Sequence, residues 1–195
     1  MHLIVGLGNP GPEYAETRHN VGWRVAERLA ERVGAQRWRE RFEALLIQTR
    51  LAGRPVVLAR PLTYMNESGR AVRRLVEFWK VEADRLLVVV DDLALDLGRL
   101  RLRPGGSAGG HKGLASVAEH LGHEAYPRLR VGIGPLPEGW DGADFVLGRF
   151  TETERPVVER AVQRAADAAE VWLAEGIEAA MNRFNGSSGA DGSRE

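Results

Sequence analysis

Residues 85–92 read "RLLVVVDD". Aliphatic residues follow one another from Leu86 to Val90 with no polar alternation, the pattern of a strand buried on both faces inside a sheet that helices cover on two sides. Two carboxylates, Asp91 and Asp92, stand at its carboxyl end. Working outward, "HLIVGL" (2–7) is a second apolar run, ending at Gly8, and "RLRVGIG" (128–134) is a third. "ALLIQTRL" (44–51) and "PVVLARPL" (55–62), separated by "AGR", read as a hairpin. "GRLRLRP" (98–104) alternates apolar and basic residues and predicts a strand with one wet face.

Helical spacing fills the intervals. Val21, Val25, Leu29 and Val33, with Ala26 and Ala30 beside them, predict a helix over 20–33 that stops at Gly34. Val72, Leu75, Val76 and Trp79 mark the apolar face of a second helix, with Arg70, Arg73 and Arg74 on its wet face and Asn66 or Ser68 as its cap. The loop "GGSAGGHKG" (105–113) leads into a third, faced by Leu114, Val117, Ala118 and Leu121. Val158, Ala161, Val162, Ala165, Ala169 and Trp172 define a long helix near the C-terminus. The expected fold class is α/β: a single-domain three-layer sandwich over residues 1–185, with a mixed, mostly parallel central sheet flanked by helices. Residues 186–195 are too poor in apolar side chains to join it, and a disordered tail is expected there. In sheets of this kind ligands gather at the carboxyl ends of the strands, which brings the ends of "HLIVGLGN" and "RLLVVVDD" together.

Composition narrows the chemistry. The chain has 195 residues, enough for one core, and no cysteine, which excludes disulfides, thiolate catalysis, iron–sulfur clusters and sulfur-rich zinc sites. Of the histidines, His2, His19, His111, His120 and His123, none forms HExxH, and His120 with His123 lacks a completing carboxylate. No metal and no cofactor are expected. "MHLIVGLG" lacks the basic start of a signal peptide, and no apolar stretch approaches the roughly 20 residues that span a bilayer, so a soluble, cytoplasmic chain without membrane partners is expected. Nothing suggests an obligate interface, and a monomer is expected. The net charge is zero but uneven: Arg99, Arg101, Arg103, Lys112, Arg128 and Arg130 face only Glu119 and Glu124 across residues 99–130. Clustered arginines in a neutral protein are one way to meet phosphate, although a solvated face has the same composition.

"GLGNPG" (6–11) satisfies G-x-G-x-x-G after a strand, yet it fails as a dinucleotide loop. Such a loop must open directly into a helix whose amides face pyrophosphate. Here Pro10, Gly11 and Pro12 break the chain and "EYAETRHN" intervenes. The region some twenty residues on is helix, where an acid-ended strand is required.

A different site is suggested by the polar residues at strand ends and loops: Asn9, His19, Asn66, Asp91, His111 and Lys112. A histidine oriented by an aspartate takes a proton from water, and asparagine amides donate to an oxyanion without adding charge. With no G-x-S-x-G elbow and no cysteine, direct water attack is the natural chemistry. A turn asparagine, a histidine beside a helix start and a capping aspartate would account for the same residues equally well.

The motifs "LIVGLGNPGPEYAETRHNVGW" (3–23), "RPLTYMNESGRAV" (60–72), "VVVDDLALDLGRLRLRPGGSAGGHKGL" (88–114), "RLRVGIG" and "DFVLGRF" (144–150) occur in this order and span nearly the whole chain. In them the sequence resembles the bacterial peptidyl-tRNA hydrolases. The resemblance implies a cofactor-free esterase that cleaves the bond between a peptide and the 3′ end of tRNA, recycling tRNA from peptidyl-tRNA released by ribosomes. It implies His19 as the base that activates water and Asp91 as the group that orients it. Asn9 and Asn66 fall on the asparagines that hold the substrate, and Tyr14, Tyr64, His111 and Lys112 are expected to line the same site. Arg103 and Arg130 fall where the family grips a tRNA phosphate. Two positions depart from the family: Ala94 replaces a common acid, and Lys112 replaces a usual asparagine. An ammonium donates but cannot accept, so the family's water-positioning role does not carry over to Lys112. An RNA-binding module without activity is the alternative, since the fold also resembles a plastid intron-splicing factor. Retention of Asn9, His19, Asn66 and Asp91 speaks against it.

Overall fold

The computed structural model describes residues 1–186. Seven strands form one sheet in the order β2-β3-β4-β1-β5-β7-β6. They are β1 (His2–Gly6), β2 (Arg39–Arg41), β3 (Ala44–Leu51), β4 (Arg54–Pro61), β5 (Leu86–Asp96), β6 (Leu100–Arg103) and β7 (Arg128–Gly134). The four central strands, β4, β1, β5 and β7, run parallel. The antiparallel pairings lie outside them, β2 and β3 on one edge and β6 on the other. Among the described residues six α-helices complete the fold: α1 (Val21–Arg32), α2 (Ser68–Trp79), α3 (Lys112–Leu121), α4 (Gly142–Val146), α5 (Arg155–Glu175) and α6 (Ile177–Phe184). No helix among the described residues is long and apolar enough to cross a membrane.

Strand alternation divides the interior into two cores. Ile4, Leu58, Leu87, Val89, Leu129 and Val131 pack under α1, α5 and α6. Leu3, Val5, Val57, Val88 and Val90 pack under α2 and α3 with Val72, Leu75, Leu114 and Val117. Period-two alternation with both faces apolar is why the strands read as continuous hydrophobic runs. Each such side chain, fully withdrawn from water, contributes about 1.5–3 kcal/mol before conformational entropy is set against it.

Three differences from the sequence reading matter for the site. The cap of α2 is neither Asn66 nor Ser68: Ser68 is already helical, its hydroxyl donates to the Met65 carbonyl, and Glu67 occupies the cap without a side-chain bond. A 3-10 turn at Met65–Glu67 runs into α2 and takes the place of the expected side-chain cap. Secondly, β5 continues past the Asp pair to Asp96 through a register shift. Thirdly, β2, α4 and α6 carry too few periodic residues to be read from sequence. The expected tail lies almost entirely outside the described residues.

Candidate active site

The glycines of the opening motif serve packing. A Cβ on Gly22 would run into the carbonyls of Val89 and Leu7, and one on Gly6 into the carbonyl of Gly22. With hydrogen at both positions the start of α1 sits directly on β1 and β5, so the 3-10 turn before it, Arg18–Asn20, hangs over the end of β5. His19 is carried on that turn. Alternation along β5 puts Asp91 on the side of Leu87 and Val89, the α1 side. His19 Nδ1 lies 2.9 and 2.8 Å from the two Asp91 carboxylate oxygens. Asp91 is 1% exposed.

His111, the cap of α3, reaches the same carboxylate from the other core, with Nε2 2.8 Å from Asp91 Oδ1. Its Nδ1 accepts the backbone N–H groups of Gly113 and Leu114 at 3.1 and 3.3 Å. That nitrogen therefore carries no proton, and Nε2–H donates to Asp91. His19 donates through Nδ1–H, which leaves its Nε2 lone pair on the cleft side, with no partner among the described residues. Burial pushes the Asp91 carboxyl up, but the adjacent His111 and then His19 outweigh it and hold the group at about 2.

His19 Nδ1, the Asp91 carboxylate and His111 Nε2 lie within 4.8 Å of one another, a grouping able in principle to hold a metal ion. The hydrogen bonds argue against one. An ion on His111 Nε2 would displace the ring's only proton while Nδ1 still faces two N–H donors, so these residues do not fit a metal.

Asn9 is fixed by its neighbours. Asn20, fully buried, accepts the Asn9 backbone N–H and donates to the Asn9 carbonyl, both at 2.9 Å. The Asn9 side-chain oxygen accepts the Met65 N–H at 2.7 Å. Its oxygen being taken, the Asn9 side chain presents its amide hydrogens to the cleft. Arg18 anchors the turn from behind: its guanidinium lies 4.1 Å over the Phe145 ring and donates to the Phe145 carbonyl and to Glu154, each at 3.2 Å. Asn20 and Arg18 escaped the sequence reading. Their one signal was that both flank His19 in "RHN".

The cleft above these groups has a volume of ≈ 740 Å³. Asn9, His19, Tyr64, Asn66, Asp91, His111, Lys112 and Arg130 all line it, which gathers most of the expected site. Leu93, Val146 and Leu147 form an apolar wall that the sequence did not reveal. Tyr14 stands outside the lining, edge-on to the exposed Tyr64 with ring centres 6.4 Å apart. Arg103 is also outside it, exposed on β6. Arg130 is engaged within the protein: it donates to the carbonyls of Ser107 and Ala108 at 3.0 and 3.5 Å and stands 3.6 Å from Asp92. His111, expected to contact substrate, lines the cleft with both ring nitrogens already bonded inside the protein.

Fold and site together define an α/β enzyme with a histidine–carboxylate pair set in an open cleft. The family model described as peptidyl-tRNA hydrolase matches residues 3–191. The peptidyl-tRNA hydrolase of Rhodopirellula baltica is 45% identical over 97% of this chain and all of its own length. That of Chloroflexus aggregans is 50% identical over 95% of this chain and 99% of its own. The crystal structure of peptidyl-tRNA hydrolase from Acinetobacter baumannii superposes with a TM-score of 0.89 at 34% identity, covering 95% of this chain and 94% of that one. The chain belongs to the peptidyl-tRNA hydrolase family and is an enzyme of that type, a hydrolase.

Proposed function

We propose that the chain hydrolyses the ester between a peptide and the 3′ end of tRNA by water attack that His19 assists, with no covalent intermediate. The observation that carries this reading is the orientation of His19: Nδ1–H is held by the buried Asp91 carboxylate, and Nε2 faces the cleft. A water bonded to Nε2 loses its proton as it attacks the ester carbonyl, and Asp91 stabilises the imidazolium that forms. The same imidazolium then returns the proton to the departing ribose oxygen. Asn9, its amide hydrogens turned outward, donates to the oxyanion or to the peptide carbonyl, and Asn66 provides a second amide on the same side. No serine or cysteine nucleophile is required.

The nucleic acid end is assigned to the side of the cleft bearing Lys112 and Arg130, from which Arg101 and Arg103 extend along the β6 edge. The peptide end then lies along Leu93, Val146 and Leu147. A site that hydrogen-bonds a peptide amide leaves a charged α-ammonium poorly solvated, so free aminoacyl-tRNA would be spared. This role, recycling tRNA in the cytoplasm as a monomer, needs no metal or cofactor. The test compares hydrolysis of an N-acetylated aminoacyl-tRNA with that of its unacetylated counterpart by the wild type and His19→Ala. Cleavage of the acetylated ester alone, abolished by the substitution, is expected. Binding of tRNA without cleavage of either ester would favour a binding module.

A further inference from the structure

We propose that His111 is a positioning residue for the reaction, holding the Asp91 carboxylate in the one orientation that keeps His19 aimed at the cleft. This rests on the reading of His19 as the base. Among the described residues, the Asp91 side chain has two donors only, the two imidazoles. Its Oδ2 is approached by His19 alone, whereas Oδ1 is shared between His19 at 2.9 Å and His111 at 2.8 Å. A buried carboxylate held by a single donor is free to turn about its Cβ–Cγ bond, and the ring it carries turns with it. The second donor removes that freedom.

The second donor is itself locked. Two N–H groups at the start of α3 point at His111 Nδ1, which fixes both the ring plane and the proton on Nε2. The α3 start is packed as closely as backbone allows: a Cβ on Gly113 would come within 2.6 Å of the Met65 sulfur and 2.8 Å of a Leu7 methyl. Met65 in turn donates to Asn9. One rigid chain of contacts thus runs from α3 through His111 and Asp91 to His19, and back through Met65 to Asn9. The ring centres of the two histidines are 5.2 Å apart and tilted by 49°, so neither stacks on the other. With both nitrogens engaged, His111 has no polar atom left for substrate.

His111→Asn separates this role from capping. Asparagine is a favourable cap and accepts the same N–H groups, but it is too short to reach Asp91 as well. Expected are a thermal midpoint close to wild type, an unchanged KM and a kcat lower by about tenfold to hundredfold. The acid limb of the pH profile should also move to higher pH. The sign follows from charge: Asp91, relieved of one donor, is less neutralised and stabilises the His19 imidazolium more. The other charged groups near the trio are Asp92 on β5, Lys112 on α3, Arg130 on β7, and Arg18 with Glu154 behind the turn, and the substitution leaves all of them in place.

A wild-type kcat with an unmoved limb would reduce His111 to a helix cap and overturn the proposal. So would a raised KM with unchanged kcat, which would mark a substrate contact. Absence of any acid limb in the wild type would count against His19 as the base, a separate failure. Should the variant not fold, the ring tautomers decide it: nitrogen-15 spectra of the wild type are expected to show His111 protonated on Nε2 and His19 on Nδ1. A His111 proton on Nδ1 overturns the proposal.

Discussion

Two regions of the molecule handle polar side chains in opposite ways. Around His19, Asp91, Asn9, Asn20 and His111, hydrogen bonds to buried partners fix the orientation of nearly every group, most of them at 2.7–2.9 Å. Along the β6 edge, Arg101 and Arg103 project from the sheet exposed and without a carboxylate partner among the described residues. The strand pairs them with Arg130 and Arg128, which bend inward and hold the 105–110 loop through its carbonyls. The difference matches what the proposed function asks of each region. Proton transfer is sensitive to displacements of an ångström, so the groups that perform it are anchored through backbone and buried partners. Attraction to a polyanion acts over about a Debye length, roughly 8–10 Å, and needs only charge in the right neighbourhood.

The sharpest way to break the comparison is to remove the proposed base. His19→Ala is expected to lower kcat by about 10²–10⁴-fold with tRNA affinity retained, as single-turnover kinetics and a filter-binding assay would show. Next comes Asn20→Ala, which touches no substrate. It deletes both side-chain bonds to the Asn9 backbone inside the core, so a loss of about 1–3 kcal/mol in urea unfolding is expected together with a fall in kcat. Retained stability and rate in that variant would mean that Asn9 is held by its Met65 bond alone. Arg101→Gln with Arg103→Gln belongs to the loose region. A KM raised several-fold, kcat unchanged and a salt-dependence slope shallower by roughly one to two are expected. A changed kcat would show that the two regions are coupled.

The smallest expected effect is on acid stability. The Asp91 carboxyl is held at about 2, below the ordinary value of 3.8. A depressed acid contributes stability above its unfolded value and loses it as pH falls through its folded one. The contribution of Asp91 should therefore be complete above pH ~4 and vanish towards pH ~2. Asp91→Asn should flatten the stability curve across that window, measured by denaturant unfolding at successive pH values. A curve as steep as that of the wild type would assign the acid sensitivity to other carboxylates.

Most of the fold was legible because its strands are buried on both faces. From Leu86 to Val90 no register slip could expose a polar side, so the run itself declared an interior strand. The pattern of α1 was equally clear, since Val21, Val25 and Leu29 face one core. The cap of α2 was misjudged because a preceding 3-10 turn shifts the helix start, an effect with no periodic signature. Arg128 reads in sequence as one more basic residue, but it is 1% exposed beneath the 105–110 loop, over the Tyr126 ring. Arg130 looked like a free cation for the same reason: the loop carbonyls that occupy it lie over twenty residues earlier in the chain.

By itself the sequence determined the order of the longer strands and helices, the absence of cysteine, and the set of polar residues from which a site could be built. These follow from local periodicity and from side-chain chemistry, which do not depend on distant contacts. Only the tertiary structure decided which of them meet: that Asp91 faces the α1 side, that His111 shares its carboxylate with His19, and that Asn20 grips the backbone of Asn9. The physical reason is that hydrogen-bond partnership requires approach within about 3 Å and the right angle. Residues separated by 72 positions, as His19 and Asp91 are, acquire that approach only when the sheet register and the helix packing are in place.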